Sequence, residues 1–296
     1  MHEIPRTLTT DERMNSLKAQ DIFSLKGRRA LITGASRGIA AAIAETLATN
    51  GAVVGINYSA GADAAAGLAG AAEAVERRIA AFGGTAHLLE EDMLQPGAAS
   101  RLVARMEDAF GGCDILVVSA SMQVHRSFLD MSLEDTLRQL QLNFLSTVEL
   151  LQALLPMMKA RGYGRVLTIG SVQEAAPSPE MPIYAATKAA QVNLVRTLAV
   201  EFAPFGITLN NLAPGLVQTD RNAFRRLDPQ HWAENVRLAN PMGRAGLPEE
   251  MVGAALYLCS DAAAFVTGAT LFVTGGGHIP QPGYDTAPAT TQQAAG

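Results

Sequence analysis

Ala30-Leu31-Ile32-Thr33-Gly34-Ala35-Ser36-Arg37-Gly38-Ile39-Ala40 decides the reading of this chain. Its first four residues, apolar and ending in β-branched Ile32 and Thr33, read as a short strand. The Ala/Ile/Leu stretch that follows to Thr49 reads as a helix. Gly34 lets the backbone turn tightly between them. Gly38 lets it approach an anion held at the helix N-terminus, where unpaired N–H groups point outward. Ala40 stands where a third glycine would ease helix–strand packing, a small departure. An ordinary strand–helix turn can also carry two glycines, so the weight falls on its surroundings.

Outward from the turn, the same alternation recurs. Asn50-Gly51 stops the helix, and 52–56 reads as a second strand. Further strands are expected at 85–89, 114–119, 165–169, 206–212 and 269–273, with helices at 98–110, 132–160, 183–203 and 248–259 between them. Such a rhythm predicts an α/β fold: one Rossmann-type, doubly wound domain over 24–278, with a seven-stranded, mostly parallel sheet and helices on both faces. The near-continuous apolar character of the strands fits burial on both sides. Residues 60–81, rich in Ala and Gly, read as a helix with a loose N-terminal extension and show no recognisable chemistry. Residues 1–23 read as an N-terminal arm, and 279–296, without periodicity, as a disordered tail.

Composition excludes several classes. The 296 residues carry 23 Lys+Arg against 28 Asp+Glu, a formal charge of −5, which argues against general electrostatic binding to nucleic acid. Hydrophobic residues at 48% and charged residues at 17% exclude a disordered chain. No run reaches the length of uninterrupted apolar residues needed for a membrane span, and Met1–Arg6 has no apolar signal core. A cytoplasmic protein without a membrane partner is expected. Cys113 and Cys259 lie far apart with no Cys or His at metal-ligand spacing, and His125 also lacks such partners, so no metal site is expected.

Acid–base chemistry is suggested further on. After the Pro-punctuated loop 177–182, Tyr184 and Lys188 stand at i,i+4 on one helical face. A phenol titrates near pH ~10, and a unit positive charge about 4 Å away at an effective dielectric of about 20 lowers this by about three units. Ser171 ends the strand that contains Val166–Ile169, and ligands of open α/β sheets bind at the carboxyl ends of strands. A surface Tyr/Lys pair or a capping serine would be the plain reading of each alone. Combined with the glycine turn, they point to a proton donor and a hydroxyl placed for one substrate oxygen.

Gly34–Ile39, Asn143, Ser171, Tyr184, Lys188 and Asn211-Leu212-Ala213-Pro214-Gly215 together resemble the short-chain dehydrogenase/reductase family. The likeness covers roughly 24–278 and includes Pro241–Arg244 and the closing Thr267-Gly268…Thr274-Gly275-Gly276. It implies an NAD(P)-dependent enzyme interconverting a secondary alcohol and a ketone. Tyr184 would be the general acid/base and Lys188 its pKa-lowering partner and a ligand of the nicotinamide ribose, and both would belong to the cofactor site. Ser171 would donate to the substrate oxygen, and Asn143 would anchor a water that relays protons from Lys188. The implied cofactor site takes Gly34, Ser36, Arg37, Gly38 and Ile39 from the turn, and Asn57, Tyr58 and Ser59 after the second strand. It also takes Asp92 and Met93 beside the adenine, Ser119 and Ala120 after the fourth strand, and Pro214, Gly215, Val217 and Thr219 at the carboxamide. Where the family usually shows Asn-Asn-Ala-Gly, this chain has Val118-Ser119-Ala120-Ser121, and Ser121 lacks glycine's freedom at positive φ.

NAD-preferring members carry an acidic residue at the position of Asn57. Arg37 is placed to meet a 2′-phosphate, and an arginine at a helix start is mildly disfavoured unless an anion arrives. NADP is therefore the expected cofactor, with NAD left open. Residues 217–240 correspond to the family's mobile lid. Of its Arg221, Arg225 and Arg226, at least two are expected to be solvated. His125, Gln173 and Glu174 stand near strand ends, placed to bond a hydroxylated substrate. Asp21–Gly27 resembles members acting on sugars, polyols and sugar acids. Arginines that dock acyl carrier protein in other members fall here at Asp130 and Phe205. A small polar or hydroxylated carbonyl substrate is thus favoured over a 3-oxoacyl thioester, and a non-catalytic dinucleotide-sensing module is the other alternative. Helices 132–160 and 183–203 carry apolar residues on more than one face, Leu137, Leu140, Leu142, Leu145 and Leu151 on the first and Val192, Leu194, Val195 and Leu198 on the second. The family pairs these helices across two-fold axes, so a homo-oligomer, dimer or tetramer, is expected.

Overall fold

A computed structural model describes residues 19–279. The expected arm and tail lie outside the described residues, apart from a four-residue helix α1 (Ala19–Ile22) at the near end of the arm and Ile279 at the start of the tail. Seven strands follow: β1 (Arg29–Ile32), β2 (Val53–Tyr58), β3 (Thr85–Glu90), β4 (Ile115–Val118), β5 (Gly164–Ile169), β6 (Ile207–Pro214) and β7 (Thr270–Val273). Their order across the sheet is β3-β2-β1-β4-β5-β6-β7, and every pairing is parallel. The chain winds one way from β1 to β3, then crosses back to place β4 on the other side of β1. Connections leave the sheet in opposite directions at that switch point, which opens a crevice at the carboxyl ends of β1 and β4.

Helices α2 (Gly38–Thr49), α4 (Ala71–Ala81) and α10 (Val252–Cys259) cover one face, while α5 (Ala98–Phe110), α7 (Ser146–Arg161) and α8 (Pro182–Phe202) cover the other. Strand residues alternate between the two layers. Ile115 and Val117 pack with the first, and Leu116 and Val118 with the second, all at or near zero exposure. Burial on both faces is why these strands read as unbroken apolar runs.

Two helical stretches differ from expectation. Residues 60–81 form α3 (Ala60–Ala65) and α4 rather than one helix, because Gly67 and Gly70 take φ of +72° and +83° between them. The stretch at 132–160 is α6 (Leu133–Leu140), a π-helical turn over Gln141–Leu145, and α7. The last helix is also shorter, since 248–250 is a 3₁₀ turn before α10. Apolar residues of the two long stretches divide differently as well. Leu151, Val192 and Val195 are core, whereas Leu133, Leu137, Leu140 and Leu145 remain exposed.

Cys113 and Cys259 are both free and buried, and burial pushes each thiol up to about 12. Among the described residues no helix is long and apolar enough to cross a membrane, and no group of three or more His, Cys, Asp or Glu could hold a metal ion.

Candidate active site

The glycine turn forms the floor of the crevice. Gly34 sits at φ +66°, and a side chain there would drive a Cβ to 2.9 Å from Ala120 Cα. The close approach is held by Thr33, whose Oγ1 accepts from the backbone N–H groups of Ser119 and Ala120 at 3.0 and 3.1 Å. Gly38, at φ +58°, opens α2, and Arg37 before it is extended with no side chain capping the helix. An uncapped helix N-terminus facing a cleft of about 810 Å³ fits a pyrophosphate, because its first N–H groups need an acceptor. Of the expected cofactor residues, all but Lys188 line this cleft.

Asn57 has a different role from the one its position implied. It is 1% exposed, and its carboxamide donates to the carbonyls of Leu89 and Glu91 at 3.2 and 3.0 Å while accepting from Gly34 N–H at 3.4 Å. It ties β2 to β3 and the turn, which leaves it no spare donor for a ribose. Ser121 needs no glycine-like backbone, since no non-glycine residue among those described has positive φ.

At the far end of the cleft stand Ser171, which follows β5, and Tyr184, in the first turn of α8. Pro182 starts α8 without losing a hydrogen bond, its N–H being an unpaired one there in any case. Tyr184 is 4% exposed. Burial opposes its ionisation most strongly. Against it act the Lys188 ammonium, then Arg221, then hydrogen bonds with Gln123 and Ser171, and together they hold Tyr184 below the usual phenol value. Lys188 lies behind it, 1% exposed, with Nζ 5.9 Å from the Tyr184 ring centre and donating to Ile169 O at 2.7 Å. Burial in turn lowers Lys188.

Asn143 sits in the π-helical turn behind the cleft. Its side chain donates to Met122 O and Thr187 Oγ1 and accepts from Met122 N–H, so it fixes the loop after β4 against α8. The link from Lys188 to Asn143 runs through Gln191: Nζ donates to Gln191 Oε1 at 3.3 Å, and Gln191 Nε2 reaches Asn143 O at 3.4 Å and Thr147 Oγ1 at 2.9 Å. Sequence reasoning missed Gln191, although it stands at i,i+3 from Lys188. It also missed Gln123, for which no spacing gave a signal, and Asp63, whose carboxylate accepts from Ser36 Oγ at 2.9 Å in the wall of the cleft.

Glu174 and Gln173 are spent on the protein itself. Glu174 accepts from Ser171 N–H at 3.1 Å and Asn211 Nδ2 at 2.8 Å, which steadies the serine, and Gln173 Oε1 accepts from Ser178 N–H. The segment 217–240 forms a 3₁₀ helix (Asp220–Arg226) and α9 (Pro229–Ala239), capped by Asp228. Arg226 bonds within it, to Thr219 O and Asn222 Oδ1. Arg221 and Arg225 both line the cleft, and Arg221 spans it to donate to Ser121 Oγ at 3.1 Å and Ser121 O at 2.7 Å. More of these arginines therefore face the site than expected.

The family described as enoyl-(acyl carrier protein) reductase matches residues 34–278, a span that includes the glycine turn, Ser171, Tyr184 and Lys188. The chain belongs to the short-chain dehydrogenase/reductase family. As a member it is an NAD(P)-dependent oxidoreductase. It is 36% identical over 247 residues to an L-rhamnose 1-dehydrogenase (NAD(P)+) of Azotobacter vinelandii, covering 83% of this chain and 94% of the relative. A 3-oxoacyl (acyl-carrier-protein) reductase from Agrobacterium tumefaciens, solved with NADP bound, is 48% identical, with a TM-score of 0.82 over 88% of this chain and 98% of that one. A gluconate 5-dehydrogenase from Burkholderia cenocepacia, in complex with NADP and tartrate, is 34% identical, with a TM-score of 0.79 and coverage of 88% and 98%.

Proposed function

We propose that this short-chain dehydrogenase/reductase is an NADP(H)-dependent enzyme, cytoplasmic and homo-oligomeric, that interconverts a secondary alcohol and a ketone on a small polar, hydroxylated substrate. The observation that carries the reading is the placement of Tyr184: a buried phenol with the Lys188 ammonium 5.9 Å from its ring centre, lining with Ser171 a cleft that begins at an uncapped glycine turn. NADP(H) would lie along that cleft, its pyrophosphate at Gly34–Ile39, its 2′-phosphate toward Arg37 and Ser59, and its nicotinamide end toward Thr219 and Tyr184. When bound, it supplies the hydride or takes it up.

The chain's own residues manage the proton and the geometry. In ketone reduction the Tyr184 hydroxyl gives its proton to the substrate oxygen, and in alcohol oxidation the phenolate takes it back. The Ser171 hydroxyl donates to the same oxygen and fixes it beside Tyr184. Lys188 favours the phenolate by its charge, and Gln191 holds the ammonium in register with Asn143. Residues 217–240 cover the substrate end of the cleft, with Arg221 reaching across it to Ser121.

A polar substrate is favoured because Gln123, His125, Arg138, Arg221 and Arg225 line the cleft near Tyr184. The rhamnose- and gluconate-acting relatives agree with that chemistry. A 3-oxoacyl thioester is the second reading, from the name of the 48% identical structure. Exposed Asp130 and partly buried Phe205 stand where docking arginines would be needed, which weighs against an acyl-carrier substrate. The test is NADPH consumption against hydroxylated ketones, keto-sugars, keto-acids and acetoacetyl thioesters, with Tyr184→Phe as control. Turnover of a hydroxylated ketone by the native protein alone is expected. Turnover by the variant, or of thioesters only, would overturn the assignment.

A further inference from the structure

The stretch 60–81, which carries no sequence motif, delivers a carboxylate to the cofactor end of the cleft. Asp63 sits in α3, one helical turn after Ser59, whose hydroxyl caps that helix by accepting from Ala62 N–H. Asp63 is 5% exposed. Its Oδ1 accepts from Ser36 Oγ at 2.9 Å and lies 3.9 Å from Arg37 Nη1, while its buried Oδ2 has no hydrogen-bond partner among the described residues. Burying a carboxylate with one oxygen unpaired is costly, and such an arrangement lasts where a ligand supplies the missing donor.

The neighbours identify the ligand group. Arg37 and Ser59 flank the place where the adenosine ribose would carry either a 2′-hydroxyl or a 2′-phosphate. A hydroxyl there would donate to a carboxylate. A phosphate would be repelled by it and would have to draw Arg37 and Ser36 away from it. Asn57, at the customary position for an acidic residue, cannot serve, since its carboxamide is spent on the backbone.

We propose that Asp63 sets the balance between the two dinucleotides: it restrains the preference that Arg37 creates for NADP(H) and gives NAD(H) an acceptor. This rests on the dinucleotide reading of the cleft above. Asp63 is a specificity determinant that reaches the ribose from α3 rather than from the end of β2.

The experiment is calorimetric titration of the substrate-free protein with NADP+ and NAD+, native against Asp63→Asn and Asp63→Ser. Adenosine 2′,5′-bisphosphate and AMP serve as fragments that isolate the ribose end. Asp63→Asn should tighten NADP+ by about tenfold and leave NAD+ unchanged or weaker, so that the ratio of the two Kd values moves at least about tenfold. The fragments should follow the same pattern. Asp63→Ser, which keeps a hydrogen-bond partner for Ser36, covers the case in which the asparagine variant fails to fold. A ratio unchanged within about threefold, or both dinucleotides shifting together, overturns the role of Asp63 while leaving the functional reading intact. A native protein that binds neither dinucleotide overturns both.

Discussion

The Lys188 ammonium stands 5.9 Å from the centre of the Tyr184 ring, with both side chains almost wholly buried. In that setting the phenolate form needs the lysine's charge to overcome its own desolvation. Tyr184→Phe removes the proton-donating hydroxyl but leaves the aromatic ring in the wall of the cofactor cleft. Turnover should fall by about 10²–10⁴-fold while NADPH fluorescence on binding is retained.

The sign of the pH dependence follows from the same pair. Tyr184 titrates below the ordinary phenol value, so alcohol oxidation, which uses the phenolate, should rise with pH and level off below pH ~10. Ketone reduction, which uses the phenol, should fall through the same range. Lys188→Met should move both limbs to higher pH, and kcat/KM profiles of the native protein and this variant would show it.

Arg221 also favours the Tyr184 phenolate and is held to Ser121 by two hydrogen bonds. Arg221→Ala should move the pH limb in the same direction as Lys188→Met but by less. It should also raise the substrate KM by about tenfold, the loss of one charge-assisted bond. An unchanged KM would place Arg221 outside the substrate's reach.

The buried Gln191 carboxamide joins Lys188, Thr147 and Asn143 O. Gln191→Leu keeps the volume and leaves the partner groups unpaired. It should cost about 1–3 kcal/mol of stability in urea unfolding. Because Lys188 loses its orientation, kcat should fall while cofactor affinity holds.

Leu133, Leu137 and Leu145 are 73%, 55% and 43% exposed along α6 and the π-helical turn that follows it. An apolar strip of this kind on an isolated chain calls for a cover. Light scattering should find a dimer or tetramer at micromolar concentration, and Leu137→Asp should shift it toward monomer.

What could be read in the sequence divides by the distance over which a residue acts. The strand–helix alternation is a local pattern, so β1 to β7 were legible from it, whereas the Tyr184–Lys188 spacing gained its meaning only in combination with the glycine turn and the family resemblance. Asp63 meets Ser36 from 27 residues away, across a helix that Gly67 and Gly70 detach from α4. No periodicity reports such a meeting. Asn57 misled for a related reason: its position in the chain matched a ribose ligand, but the carbonyls of Leu89 and Glu91 had the prior claim on its amide. The π-helical turn at 141–145 was hidden because the apolar pattern of 132–160 runs through it without a Gly or Pro to mark a break there.

Burial of Cys113 and Cys259 has a practical consequence. With burial holding each thiol up to about 12, the thiolate form is disfavoured at neutral pH, and neither sulfur is open to solvent. Thiol-directed reagents thus find no ready cysteine among the described residues. Keeping these two cysteines reduced in assays and storage should need no added thiol reductant.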